Sequence, residues 1–136
     1  MKVELQLFEA RSPGEFHGAF AAMAKTQPDA VEIADDPMFL GNLRAIAEIA
    51  ADKRLASTGA KEFAEAGGLI GYGVDFAETF RRAAYFVDKI LKGAKPSDVP
   101  VEQATKFELV INRRTALALG VAIPQQLLWR ADKVIE

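Results

Sequence analysis

The sequence has no cysteine, so disulfide staples, thiol nucleophiles and thiolate-held metals are excluded. Its one histidine, His17, has no second imidazole to join, which argues against a histidine metal site or a catalytic dyad. No single sign of charge dominates: 17 basic and 19 acidic residues leave a net charge of −2. That balance, with an isoelectric point near 5.5, lacks the basic excess that draws nucleic acid or an anionic membrane. Long hydrophobic runs are missing too. No apolar stretch approaches the roughly 20 residues that span a bilayer, so no membrane insertion is expected. The opening "MKVELQLFEA" carries Glu4 and Glu9 and has no small-residue cleavage site, so it does not read as a secretory signal. There is no internal repeat and no low-complexity tract.

What is present is ordinary globular material. Half of the 136 residues are hydrophobic and mean hydropathy is +0.04, enough for one core. The expectation is a single α/β domain over residues 1–136. Val3–Phe8 alternates apolar and polar residues and predicts a first strand. A helix follows, with Ser12 as N-cap, Pro13 at its first position and Glu15 closing a capping box. Phe16, Phe20 and Met23 share one face of that helix, with His17 beside them. Asp29–Asp35 predicts a second strand, and "MFLGNLRAIAEIAADKR" a second helix. Leu55–Thr58 predicts a third strand, "KEFAEAG" a helical turn closed by glycine, and "GLIGYG" a fourth strand. The clearest helix runs from Asp75, its cap, to Leu91, with an apolar stripe through Phe76, Phe80, Val87 and Ile90. Thr105–Arg113 predicts a fifth strand. Two short helices then close the chain, with Trp129 as a packing anchor. Strands alternating with helices predict a mainly parallel sheet flanked by helices.

In such sheets ligands bind beyond the carboxyl ends of the strands. Three loops qualify: "DDP" after the second strand, "STG" after the third and "YGVD" after the fourth. The glycines of "AGGLIGYG" raise the question of a phosphate cradle. Counting from Gly71, the third glycine of a dinucleotide fingerprint would fall at Phe76, and no lysine follows as a P-loop requires. These glycines read instead as helix termination at Gly67 and Gly68 and close backbone approach at Gly71 and Gly73. Asp35 and Asp36 admit two readings: a divalent-metal site, or turn and capping chemistry before Pro37. No cofactor is expected.

From Glu62 to Glu136, "EFAEAGGLIGYGVDFAETFRRAAYFVDKILKGAKPSDVPVEQATKFELVINRRTALALGVAIPQQLLWRADKVIE", the chain resembles substrate-binding proteins of ABC transporters, a family whose relatives include tryptophan- and tyrosine-type binders. Weaker likeness covers "EARSPGEFHGAFAAM" and "ADDPMF". The resemblance implies a type I periplasmic-binding-protein fold, two α/β lobes closing over a small ligand. It also implies an extracytoplasmic, non-enzymatic protein that hands its ligand to a membrane permease. Against that pattern the likeness covers only the C-terminal part. On that pattern the first lobe, a signal segment and the first strand and helix of the second lobe are expected to have no counterpart in these 136 residues. That missing strand would lie centrally, so its absence predicts open strand edges and an uncovered stripe on the Asp75–Leu91 helix. A homodimer, with exchanged elements, is the expected remedy. The small-molecule ligand, an amino acid in relatives, would meet Asp35, Asp36, Thr58, Gly59, Tyr72 and Gly73. Two other functions fit the residues: a cytosolic α/β oligomerisation module, and a small metal-dependent enzyme using Asp35 and Asp36.

Overall fold

A computed structural model describes residues 2–136. Its centre is a five-stranded sheet in the order β1-β2-β3-β4-β5. The strands are β1 (Ala30–Glu32), β2 (Ala56–Gly59), β3 (Ile70–Val74), β4 (Phe107–Asn112) and β5 (Lys133–Ile135). Three pairings are parallel and only β3 with β4 is antiparallel, as the alternation of strands and helices predicts. The helices are α1 (Phe16–Thr26), α2 (Pro37–Leu40), α3 (Leu43–Asp52), α4 (Lys61–Glu65), α5 (Phe76–Leu91), α6 (Arg113–Leu119) and α7 (Gln125–Arg130).

The core lies on one face of the sheet. Val31 and Ile33 from the β1 stretch meet Phe16 and Phe20 of α1, Leu43, Ile46 and Ile49 of α3, and Phe63 of α4. Large apolar side chains removed from water in this way each contribute about 2–3 kcal/mol. α1 earns its place through Phe16 and Phe20, four residues apart, with Met23 packed beside them. Its entry is a 3₁₀ turn at Pro13–Glu15. Glu15 reaches back to accept from the Arg11 N–H (2.9 Å) and the Ser12 hydroxyl (3.1 Å), but the Ser12 side chain caps no backbone N–H. The opposite sheet face is barer over β1–β3, where Ala30, Glu32 and Tyr72 are exposed, while Ile111 of β4 is fully buried on it.

Four expectations change. Val3–Phe8 is not a strand, because a strand needs a ladder partner and the sheet offers this stretch none. β1 is instead an outer strand with an open edge. The second predicted helix divides into α2 and α3 at Gly41 and Asn42, where the Asn42 side-chain amide donates to the Met38 carbonyl (2.7 Å). The strand predicted over Thr105–Arg113 is β4, and an unexpected one, β5, is cut from the end of what reads as terminal helix; Arg113 holds its terminus through Glu136 (3.0 Å). Trp129 is no anchor. α7 turns Leu127 and Leu128 inward and leaves the indole 77% exposed.

The "AGGLIGYG" run joins α4 to β3. Gly67 takes φ +116°, a conformation that ordinary side chains resist, and so releases the chain from the helix. At Gly71 a Cβ would stand 2.3 Å from the Lys61 carbonyl oxygen, so the missing side chain is what lets α4 lie on β3.

α5 stands apart. The Asp75 carboxylate caps it, accepting from the Glu78 N–H (3.2 Å). None of its residues is buried, and Phe80, Val87 and Leu91 of its stripe face water. The returning segment is tied to it by an Arg82–Glu102 ion pair.

Candidate functional site

β1, β2 and β3 run in one direction, so their carboxyl ends and the loops that follow form one rim. At the β1 end, Asp36 accepts from the Met38 N–H (2.8 Å) and caps α2, which is the turn-and-cap role its place before Pro37 suggests. Asp36 also lines an open cavity of about 480 Å³ with Ala10, Arg11, Ala34, Met38 and Phe39. Arg11, whose guanidinium pairs with Glu9 (3.0 Å), is a rim residue that sequence reasoning missed. Asp35 is exposed in the same loop.

At the β2 and β3 ends, strand parity separates the remaining candidates. Thr58 pairs in register with Ile70, so Thr58, Ile70 and Tyr72 share the barer face. Gly59 and Gly73 lie on the other face. Gly59 is buried, a Cβ there meeting Phe63 and Ile33 at 3.2–3.3 Å, and Gly73 backs onto the Lys61 amide. Asp35 and Asp36 are accessible at the rim, Thr58 and Tyr72 lie within β2 and β3 on the barer sheet face, and the two glycines serve the packing of α4. Thr58 and Tyr72 do not line the Asp36 cavity.

Tyr72 stacks on Phe107 of β4, ring centroids 5.7 Å apart and planes within 16°. Both rings are exposed, offering a flat aromatic surface. Behind it lies a closed set of four alternating charges. Lys61 Nζ is 2.8 Å from Glu108 and 3.8 Å from Asp75; Lys106 Nζ is 3.0 Å from Asp75 and 3.3 Å from Glu108. The hydrogen bond from Lys106, then the Glu78 N–H, holds the Asp75 carboxyl down at about 2. Lys61, then Lys106, lowers Glu108, and each lysine is raised in return by its carboxylate partners. The set joins the start of α4, the cap of α5 and β4, so it fixes the angle at which the chain leaves the sheet. The one legible signal was Lys106 and Glu108 alternating with Phe107; their partner Lys61 is 47 residues from Glu108.

Among the described residues, no three His, Asp or Glu side chains gather as a metal would need. A second cavity, about 240 Å³, lies at the opposite ends of the strands and is lined by Phe20, Gln27, Pro28, Lys53, Arg54 and Leu55.

A sequence profile described as ABC transporter substrate-binding protein matches residues 1–135. The chain belongs to that family. Solved structures agree with this family member's fold. One is an ABC domain in complex with L-Trp from Streptococcus pneumonia (TM-score 0.86, 25% identity), covering 96% of this chain and 44% of that one. Another is a conserved domain protein from Vibrio cholerae (TM-score 0.84, 26% identity), covering 92% and 42%. A ligand-free, open substrate-binding protein with adhesive properties from Clostridium difficile shares the fold (TM-score 0.62, 20% identity), covering 90% and 41%. The chain thus spans less than half the length of the structures it matches. None of the curated proteins matches it.

Proposed function

We propose that this family member forms one wall of a small-molecule site, a binder for ABC transport and not an enzyme. The observation that supports this reading is the open cavity beyond β1, lined by the Arg11 guanidinium, the Asp36 carboxylate and the apolar Met38 and Phe39, with Asp35 in the same loop and Thr58 and Tyr72 on the neighbouring strands outside it. An α-amino acid suits that set. Its ammonium matches Asp35 and Asp36, its carboxylate matches Arg11, and an apolar side chain matches Met38 and Phe39. The structure with bound L-Trp supports the ligand class by likeness only. Delivery of the ligand to a permease belongs to the same proposal.

A shallow rim binds weakly until a second wall covers it. We propose that a second copy of this chain can supply such a wall. The exposed α5 stripe and the open edge of β1 favour such an assembly.

A thermal-shift panel of amino acids and Mg²⁺ tests the reading. A ligand at 100 times its Kd stabilises by about 2.7 kcal/mol, which for a chain of this size is a rise of roughly 9 °C. Stabilisation by an aromatic amino acid is the expected result. Stabilisation by Mg²⁺ alone would favour the aspartate-metal alternative, and none by any ligand would leave only the assembly role.

A further inference from the structure

Two parts of this chain have the same unmet need. The outer edge of β1 carries backbone groups with no neighbour, since β1 pairs only with β2. The Ile33 N–H donates inward to the Thr58 carbonyl (2.8 Å), so by strand alternation Ala30 and Glu32 turn their N–H and C=O groups outward. The second part is Val3–Phe8. It joins no sheet, and Val3, Leu5 and Leu7 are 63%, 84% and 95% exposed. Those three side chains fall on one side of an extended strand, with Lys2, Glu4 and Gln6 on the other. An apolar alternating segment without a ladder and a ladder without a segment are complementary, and one polypeptide carries both.

We propose that two copies of this chain exchange Val3–Phe8, each segment adding as a strand to the β1 edge of the other copy. This rests on the second-copy reading above and names the surface. The exchange is self-complementary, so it closes at two copies and pairs the β1 edge of each. Laid beside β1 with Val3, Leu5 and Leu7 on the Val31 and Ile33 face, the segment extends the core layer. The same register sets Lys2, Glu4 and Gln6 on the barer face that carries Glu32, so the polar side of the segment turns outward.

The experiment uses the whole chain. Light scattering should give about 30 kDa, twice the 14.8 kDa of one chain. Leu5→Pro removes one ladder donor in each of two equivalent strands and should weaken dimerisation on the order of 30-fold, about 1 kcal/mol per lost bond. Leu5 is exposed, so the circular dichroism of the monomer should not change. Leu5→Ala keeps the donor and should dimerise. Because the chain has no cysteine of its own, Gln6→Cys and Glu32→Cys variants, whose side chains share one face in this register, should give a mixed disulfide dimer when mixed and oxidised. A monomer at every concentration overturns both the exchange and the second-copy reading. A dimer indifferent to Leu5→Pro and without the mixed disulfide overturns the exchange alone. So does a doubly substituted chain that closes its disulfide within one copy.

Discussion

Replacing Gly71 by alanine tests how α4 is seated. The new methyl would stand 2.3 Å from the Lys61 carbonyl oxygen and 2.8 Å from the Lys61 Cα. Ordinary contact needs about 1 Å more, and the obstacle is backbone, so no side-chain rotation relieves it. α4 must lift from β3. It carries Phe63, which is fully buried in the core, and Lys61, whose bond to Glu108 is 2.8 Å long. Overpacking of this kind costs about 1–3 kcal/mol. For 136 residues that is a fall in melting temperature of roughly 4–10 °C. Urea denaturation followed by circular dichroism measures it, with two controls. Gly73→Ala meets its nearest backbone atom at 3.3 Å and should cost less. Gly18→Ala, inside α1 with nothing within 4 Å, should stabilise by about 0.5–1 kcal/mol. A Gly71→Ala protein as stable as the parent would refute the claim that the bare Cα lets α4 pack there.

Two further outcomes follow from the charges and the single indole. Asp75 sits at about 2 against an ordinary 3.8, lowered chiefly by Lys106, so its folded form holds the proton less tightly than the unfolded chain. Its stabilisation is therefore complete above about pH 4 and is lost as pH falls toward about 2; urea midpoints across that range should drop, and Asp75→Asn should flatten the slope. An unchanged slope in the variant would contradict this. Trp129, the sole tryptophan, should emit like free indole in water and be quenched freely by iodide; a shielded, blue-shifted emission would show α7 packed otherwise.

The layered α/β fold was legible because its signals are local. Phe16 and Phe20 mark α1, Asp75 and Gly93 bound α5, and alternating Phe107, Leu109 and Ile111 mark β4. Val3–Phe8 has an equally good local pattern and fails, because a strand is defined by a neighbour that no local pattern supplies. β5 errs the other way: Lys133–Ile135 is too short to signal alone and forms because β4 offers Val110–Asn112 as a ladder. The rim loops were readable from topology, and Asp36 from the proline that follows it. Which way Thr58, Gly59, Tyr72 and Gly73 turn depends on register, and the four-charge set joins residues far apart in sequence.

The central claim is that the rim at the ends of β1, β2 and β3 holds an amino acid. The most direct measurement is a titration of the isotopically labelled chain with L-tryptophan, followed by amide chemical shifts. The account predicts saturable shifts at Arg11, Asp35, Asp36 and Phe39, with Lys53 and Arg54 in the opposite cavity unmoved. Shifts confined to Lys53 and Arg54, or none in the dimer at millimolar ligand, would contradict it.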